Sequence, residues 1–161
     1  MEHFPCTLTA EQSARMLPWI ETGFAERGYG LWAVELPDEA AFVGFVGLSP
    51  VDFESPFSPA VEIGWRLGAT YWGRGYATEA AASAMSFGFE KLDLDEIVSF
   101  TAQGNIRSRR VMERLHMTHD PGDDFDHPRL ARTDPLCRHV LYRIDRPVWR
   151  ARCGSRPIGA R

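Results

Sequence analysis

Cysteine is scarce in this chain. Cys6, Cys137 and Cys153 are widely spaced over 161 residues, odd in number, and form no Cys-x-x-Cys pair. That spacing gives neither a disulfide framework nor a zinc site, and it predicts a reducing, cytoplasmic setting. Long apolar runs are missing too. No stretch approaches the roughly 18 uncharged residues that a membrane-spanning helix needs. The start, Met1-Glu2-His3-Phe4-Pro5, has no basic region and no long apolar run, so no signal peptide is read. Nor is there a basic excess: the net charge is -4. All 22 acidic residues lie at or before Asp145, against thirteen basic ones, which leaves that part at -9 and the last sixteen residues at +5. An acidic body disfavours nucleic acid as a partner and suits a cationic ligand.

What is present is an ordinary globular composition, 44% hydrophobic and 25% charged, at the length of one domain. The division expected is a domain over residues 1–146 and a basic, disordered tail over 147–161, where Pro147, Gly154, Pro157 and Gly159 interrupt any pattern.

Thr9 and Gln12 form a capping box that opens a helix from Ala10 to Arg27, with a kink or break expected at Pro18. Strands are predicted at Leu31–Leu36, Phe42–Leu48 and Val61–Leu67. The last of these alternates, with Val61, Ile63, Trp65 and Leu67 on one face. Gly44 and Gly47 mark backbone crowding in the second. Ser49 to Pro59 holds three prolines and reads as a loop. A helix follows from Tyr76 to Lys91. Its small residues, Ala77, Ala80, Ala81, Ala84 and Gly88, make a flat face for close packing on a sheet. A strand at Ile97–Thr101, a helix capped by Asn105 and running to Leu115, and a last strand at Leu136–Ile144 complete the order. The class is α/β: a mixed sheet flanked by helices.

Two segments carry chemistry. Gly73-Arg74-Gly75 lies between a strand and a helix, where backbone N–H groups and the helix N-terminus can hold a diphosphate. The plain alternative is a tight turn before a packed helix. Asn105-Ile106-Arg107-Ser108-Arg109-Arg110 opens the third helix; Asn105 and Ser108 either cap it or face a cleft, and the arginines either bind phosphate or form a solvated face.

Together the two segments resemble the GNAT superfamily of acetyltransferases, in particular its Rim-type, ribosomal-protein-alanine acetyltransferase-like members. The residues that carry the resemblance are Trp72-Gly73-Arg74-Gly75-Tyr76-Ala77-Thr78-Glu79-Ala80, Val61-Glu62-Ile63-Gly64-Trp65, Gly104-Asn105 with Ser108, and Arg138-His139-Val140-Leu141-Tyr142. The resemblance implies a mostly antiparallel central sheet flanked by helices. It implies acetyl-CoA as co-substrate, no metal, and transfer of the acetyl group to a primary amine by direct attack. The amine would belong to a protein N-terminus or a small molecule. By the same resemblance the turn formed by Gly73, Arg74, Gly75, Tyr76, Ala77 and Thr78 would hold the CoA pyrophosphate. Trp65, Arg66 and Leu67 would pair with the pantetheine arm at a splay between their strand and Ile97–Thr101, and Asn105 would bond that arm or the acetyl end. Ser108 would assist the leaving thiolate, and Glu62 would be the base; the plain alternatives are helix solvation and an exposed residue on a strand's polar face. Two departures stand out. His116 replaces the glycine that usually follows the last helix, and the family's first strand and helix have no room ahead of Thr7-Leu8-Thr9. The strand Leu31–Leu36 would then offer a sheet edge for a homodimer. The competing reading is a non-catalytic acyl-CoA-binding or interaction module left by N-terminal loss.

The loop Asp123-Asp124-Phe125-Asp126-His127 is the remaining signal. Its spacing fits no metal site, which leaves a lip for a cationic substrate or a solvated loop. His139 reads as structural or surface.

Overall fold

The computed structural model describes residues 9–152. Helix α1 (Ala10–Arg27) opens on the Thr9/Gln12 capping box and ends at Gly28, whose φ of 75° is the left-handed conformation glycine adopts freely. It is not broken at Pro18. The missing N–H would have bonded the carbonyl of Ala14, and both residues are exposed, so that carbonyl is open to solvent.

Strands β1 (Leu31–Leu36), β2 (Ala40–Pro50) and β3 (Val61–Leu67) form an antiparallel meander. β2 is longer than its sequence suggests. Ser49 and Pro50, expected in a loop, are held in register opposite Glu62 and Val61. Gly44 and Gly47 are crowded as expected: a Cβ would lie 2.1 Å from the Arg66 carbonyl oxygen at Gly44 and 2.1 Å from that of Gly30 at Gly47. Then come α2 (Tyr76–Glu90), β4 (Glu96–Ala102), α3 (Ile106–Arg114), two two-residue strands β5 (Thr118–His119) and β6 (Phe125–Asp126), β7 (Arg138–Asp145) and α4 (Arg146–Arg152). The sheet runs β1-β2-β3-β4-β7-β5, with β6 also on β7, and only the β3–β4 contact is parallel. Among the described residues β1 is one end of the sheet, so the edge read from the sequence is there.

The main core lies between the sheet and α2. Ala81, Ala84, Met85 and Phe89 pack on Val46, Leu48, Ile63, Ile97, Val140 and Ile144, all nearly or fully buried. Gly88 is where α2 comes closest: a Cβ there would lie 2.9 Å from Ile97 Cδ1 and 3.0 Å from Leu48 Cδ1. A second cluster, Phe57, Val98 and Leu141 with Phe53, Phe100 and Phe125, fills the opposite face. The tail expected from residue 147 begins as helix. In α4 Trp149 is buried and its ring stacks on Phe89 with centroids 5.6 Å apart, while the Arg146 guanidinium binds Asp93 and the Leu94 carbonyl. Residues 153–161, the rest of the tail, lie outside the described residues, as do residues 1–8.

His116 stands at φ 62°, the left-handed position a glycine would normally fill. The amide of Met117 reaches the Met112 carbonyl and that of His116 the Glu113 carbonyl, so the expected helix end forms with histidine in it.

Candidate active site

β3 and β4 share one register pair, Glu62 with Val98. β3 is held by β2 along its whole length, and β4 is held by β7 from Glu96 to Ala102. Each follows its own partner's twist, so the two part toward their C-terminal ends. The Ser99 hydroxyl, buried, donates to the Ile63 carbonyl at 2.9 Å and is the last stitch before the gap.

Two cavities meet at this gap. The first, about 350 Å³, lies on the α2 side. Its wall is Trp65, Arg66 and Leu67 from β3, Gly73 and Gly75 from the turn, Tyr76, Ala77 and Thr78 from the first turn of α2, and Asn105 and Ser108 from α3. Gly73 and Gly75 have φ of 77° and 90°, and a Cβ at either would meet nothing within 4 Å. No side chain caps α2, so its first amides face the cavity with the positive end of the helix behind them. Ten of the residues expected at the site thus share one wall. Arg74 does not: its side chain is exposed and points to Glu39, 3.9 Å away, leaving only its backbone in the turn.

The same wall holds groups that the sequence reading left open. Arg107, Arg110 and Arg114 line it, at spacings of three and four that form one face of α3. Arg109, off that face, reaches the Tyr142 hydroxyl and the Gln103 carbonyl instead. Helical spacing was the signal that separates them. Trp72 also lines the cavity. Its indole N–H donates to the Leu67 carbonyl at 2.8 Å, and the Arg107 guanidinium sits 4.9 Å from the ring centre. The turn is thereby tied to both β3 and α3.

The second cavity, about 490 Å³, opens on the face away from α2 and shares Trp65, Arg66, Asn105 and Ser108 with the first. Glu62 lines it, which answers the question its strand position left: it is half-buried in a wall rather than exposed. Burial, with Asp52's negative charge adding to it, pushes the Glu62 carboxyl up to about 8. His127 and His139 are also in this wall, and burial lowers both imidazoles below their ordinary range. His139, expected to be structural, faces the cavity, with its Nδ1 3.1 Å from the Cys137 carbonyl oxygen.

Asn105 links the two cavities. Its carbonyl accepts from the Ser108 amide, capping α3, and its amide nitrogen donates to the hydroxyls of Thr101 at 2.9 Å and Ser108 at 3.1 Å. Ser108 Oγ accepts that bond, so its own proton remains to be given. The acidic loop is used differently from either expectation. Asp123 pairs with Arg143, Asp124 with His119 and Asp126 with Arg138, and only His127 of that segment reaches the cavity. Among the described residues no group of three or more His, Cys, Asp or Glu side chains is placed to hold a metal ion.

The family model for the acetyltransferase (GNAT) domain matches residues 1–118. The chain belongs to the GNAT acetyltransferase family. A GNAT fold is also what the solved neighbours share. The ribosomal-protein-S5-alanine acetyltransferase of Vibrio fischeri is 19% identical at a TM-score of 0.72, covering 91% of this chain and 80% of that one. Mycobacterium smegmatis RimJ, in complex with CoA-disulfide, is 16% identical at 0.70, covering 90% and 68%. Among curated proteins, the FsC-acetyl coenzyme A-N(2)-transacetylase of Aspergillus fumigatus is 32% identical over 124 residues, 74% of this chain and 52% of that protein. The chain spans about half the length of the curated relatives it matches.

Proposed function

We propose that this GNAT domain transfers an acetyl group from acetyl-CoA to a primary amine by direct attack. The observation that carries the reading is the gap between β3 and β4, where two cavities of different chemistry meet at Asn105 and Ser108.

The residues present suit acetyl-CoA. The first amides of α2 and the glycines of the turn would hold its diphosphate, and Arg107, Arg110 and Arg114 supply positive charge for a further phosphate. The parted edge of β3 at Trp65–Leu67 offers backbone groups to an amide-bearing arm. When bound, acetyl-CoA supplies a thioester carbonyl for attack. The donor named in the Aspergillus relative and the CoA compound in the RimJ structure support this choice.

Glu62 takes the amine's proton. An α-amine titrates at about 7.7–8.0 and a lysine at about 10.4. A carboxyl at about 8 matches the α-amine almost evenly, whereas at its ordinary 4.5 it would be a poorer base by about 5 kcal/mol. An ammonium arriving beside Glu62 favours the ionised carboxylate, the form that can accept its proton. Ser108, oriented by Asn105, donates a hydrogen bond from its hydroxyl to the sulfur that leaves, and the proton lost by the attacking nitrogen ends on that thiolate. Neither imidazole is cationic at neutral pH, so neither repels the amine.

Thiol release from acetyl-CoA over a panel of primary amines tests the reading. Amine-dependent release is expected. Acetyl-CoA binding with no turnover on any amine favours the non-catalytic alternative.

A further inference from the structure

The second cavity has a chemistry of its own beyond Glu62. Its outer wall is Phe45, Phe100, Leu130 and Leu136 with the rings of His127 and His139, and two arginines stand in the same lining, Arg66 over the Phe45 ring and Arg129 paired with Asp52. The rings brace one another: His127 and His139 are 4.9 Å apart by centroid, and Phe100 lies 6.2 Å from each. Phe53, Phe57 and Phe125 pack behind them. These positions are thus set by a packed aromatic cluster and not by a mobile loop tip.

Among the described residues Glu62 is the one carboxylate in this wall. The nearby acids are engaged elsewhere: Asp52 with Arg129, and the three acids of the 123–126 loop with Arg143, His119 and Arg138. A polycation would find one anionic contact, not a row. Ser99 is spent on Ile63, while Thr101 accepts from Asn105 and keeps its own proton to give.

The floor between the carboxylate and this aromatic wall is bare. Gly64 lies on the same face of β3 as Glu62 and Arg66, opposite Gly47 of β2. A Cβ built at Gly64 would meet only the Glu62 Oε1, at 3.9 Å. Gly47 has its own packing reason, the Gly30 carbonyl. At Gly64 no such contact exists, and the space above it is open.

We propose that the amine acetylated here is a small molecule with a single primary amino group on an aromatic or apolar body, and that Gly64 sets the room that body is given. The ammonium end meets Glu62 while the body lies over Gly64 among Phe45, Phe100 and the two imidazoles. The proposal rests on the acetyltransferase reading above and narrows its acceptor.

The test compares 2-phenylethylamine, ethylamine, spermidine and a short peptide with an N-terminal alanine in the thiol-release assay, with acetyl-CoA affinity measured by calorimetry. Burying roughly 100 Å² of ring surface favours phenylethylamine over ethylamine on the order of 50-fold in kcat/KM. In Gly64→Leu that ratio falls at least tenfold, and in Gly64→Ala by less, with acetyl-CoA affinity kept in both. Equal rates for the two amines overturn the proposal, as do spermidine or the peptide as best acceptor, or an unchanged ratio in a Gly64→Leu protein that still binds acetyl-CoA. Those results leave acetyl transfer standing. Absence of acetyl-CoA binding and of turnover on every amine overturns both.

Discussion

Replacing Glu62 by glutamine keeps the shape of the side chain and removes its titration, so it separates chemistry from packing. The folded protein holds this carboxyl at about 8, and the unfolded chain near 4.5. Between those values the folded state binds more protons than the unfolded one, so stability falls as pH rises, by up to about 1.4 kcal/mol per pH unit. Over the whole window the loss reaches up to about 5 kcal/mol. Glu62→Gln should abolish that slope and be the more stable protein at pH 9. Activity should move the other way. At pH 7 kcat should drop on the order of 100-fold, because the amine loses its proton acceptor. The wild-type kcat/KM profile should show a limb near 8 beyond the amine's own, absent in the variant. Acetyl-CoA affinity should hold. Denaturant midpoints at pH 5, 7 and 9, with rate profiles of both proteins, give the comparison. A stability difference independent of pH, with superimposable rate profiles, would refute the role given to Glu62.

Ser108→Ala should lower kcat by about tenfold to a hundredfold with acetyl-CoA affinity kept, read in the same thiol-release assay. His116→Gly should raise stability by about 1 kcal/mol, measured by the denaturant midpoint, because the left-handed strain is removed at some cost in unfolded-state entropy. Trp149→Ala should cost about 3–5 kcal/mol by the same measurement, since it empties a buried ring site against Phe89. A change under about 1 kcal/mol would mean that α4 is not part of the core.

The fold was largely legible because its signals are local. The alternation of Val61–Leu67, the Thr9 capping box and the small-residue face of α2 each lie within a few residues, and each element formed where its pattern stood. The turn glycines were legible for the same reason, since a strand-to-helix turn next to helix amides is a local device. Surroundings decide the rest: the helix runs unbroken past Pro18 on an exposed stretch, and the tail begins as helix because Trp149 finds Phe89 sixty residues away. Glu62 shows the same limit. Its position on β3 was readable, but its burial comes from residues of β2, β4 and the 127–139 region, which only the folded sheet gathers. The arginine face of α3 needed both kinds of information: the spacing was in the sequence, and the cavity it faces was not.

The central claim is that the turn at Gly73–Thr78 and the face of α3 bind acetyl-CoA, and its most direct test is calorimetric titration of acetyl-CoA into the wild type and Gly75→Glu. A Cβ at Gly75 meets no protein atom within 4 Å, so the new side chain clashes with nothing, while the φ of 90° strains any residue other than glycine. Gly75→Ala, which carries the same backbone strain without the charge, is the control. Saturable binding to the wild type is expected, retained in Gly75→Ala to within about tenfold, and lost in Gly75→Glu, where negative charge faces the diphosphate. Equal affinity in Gly75→Glu and the wild type, or no binding to the wild type at all, would contradict it.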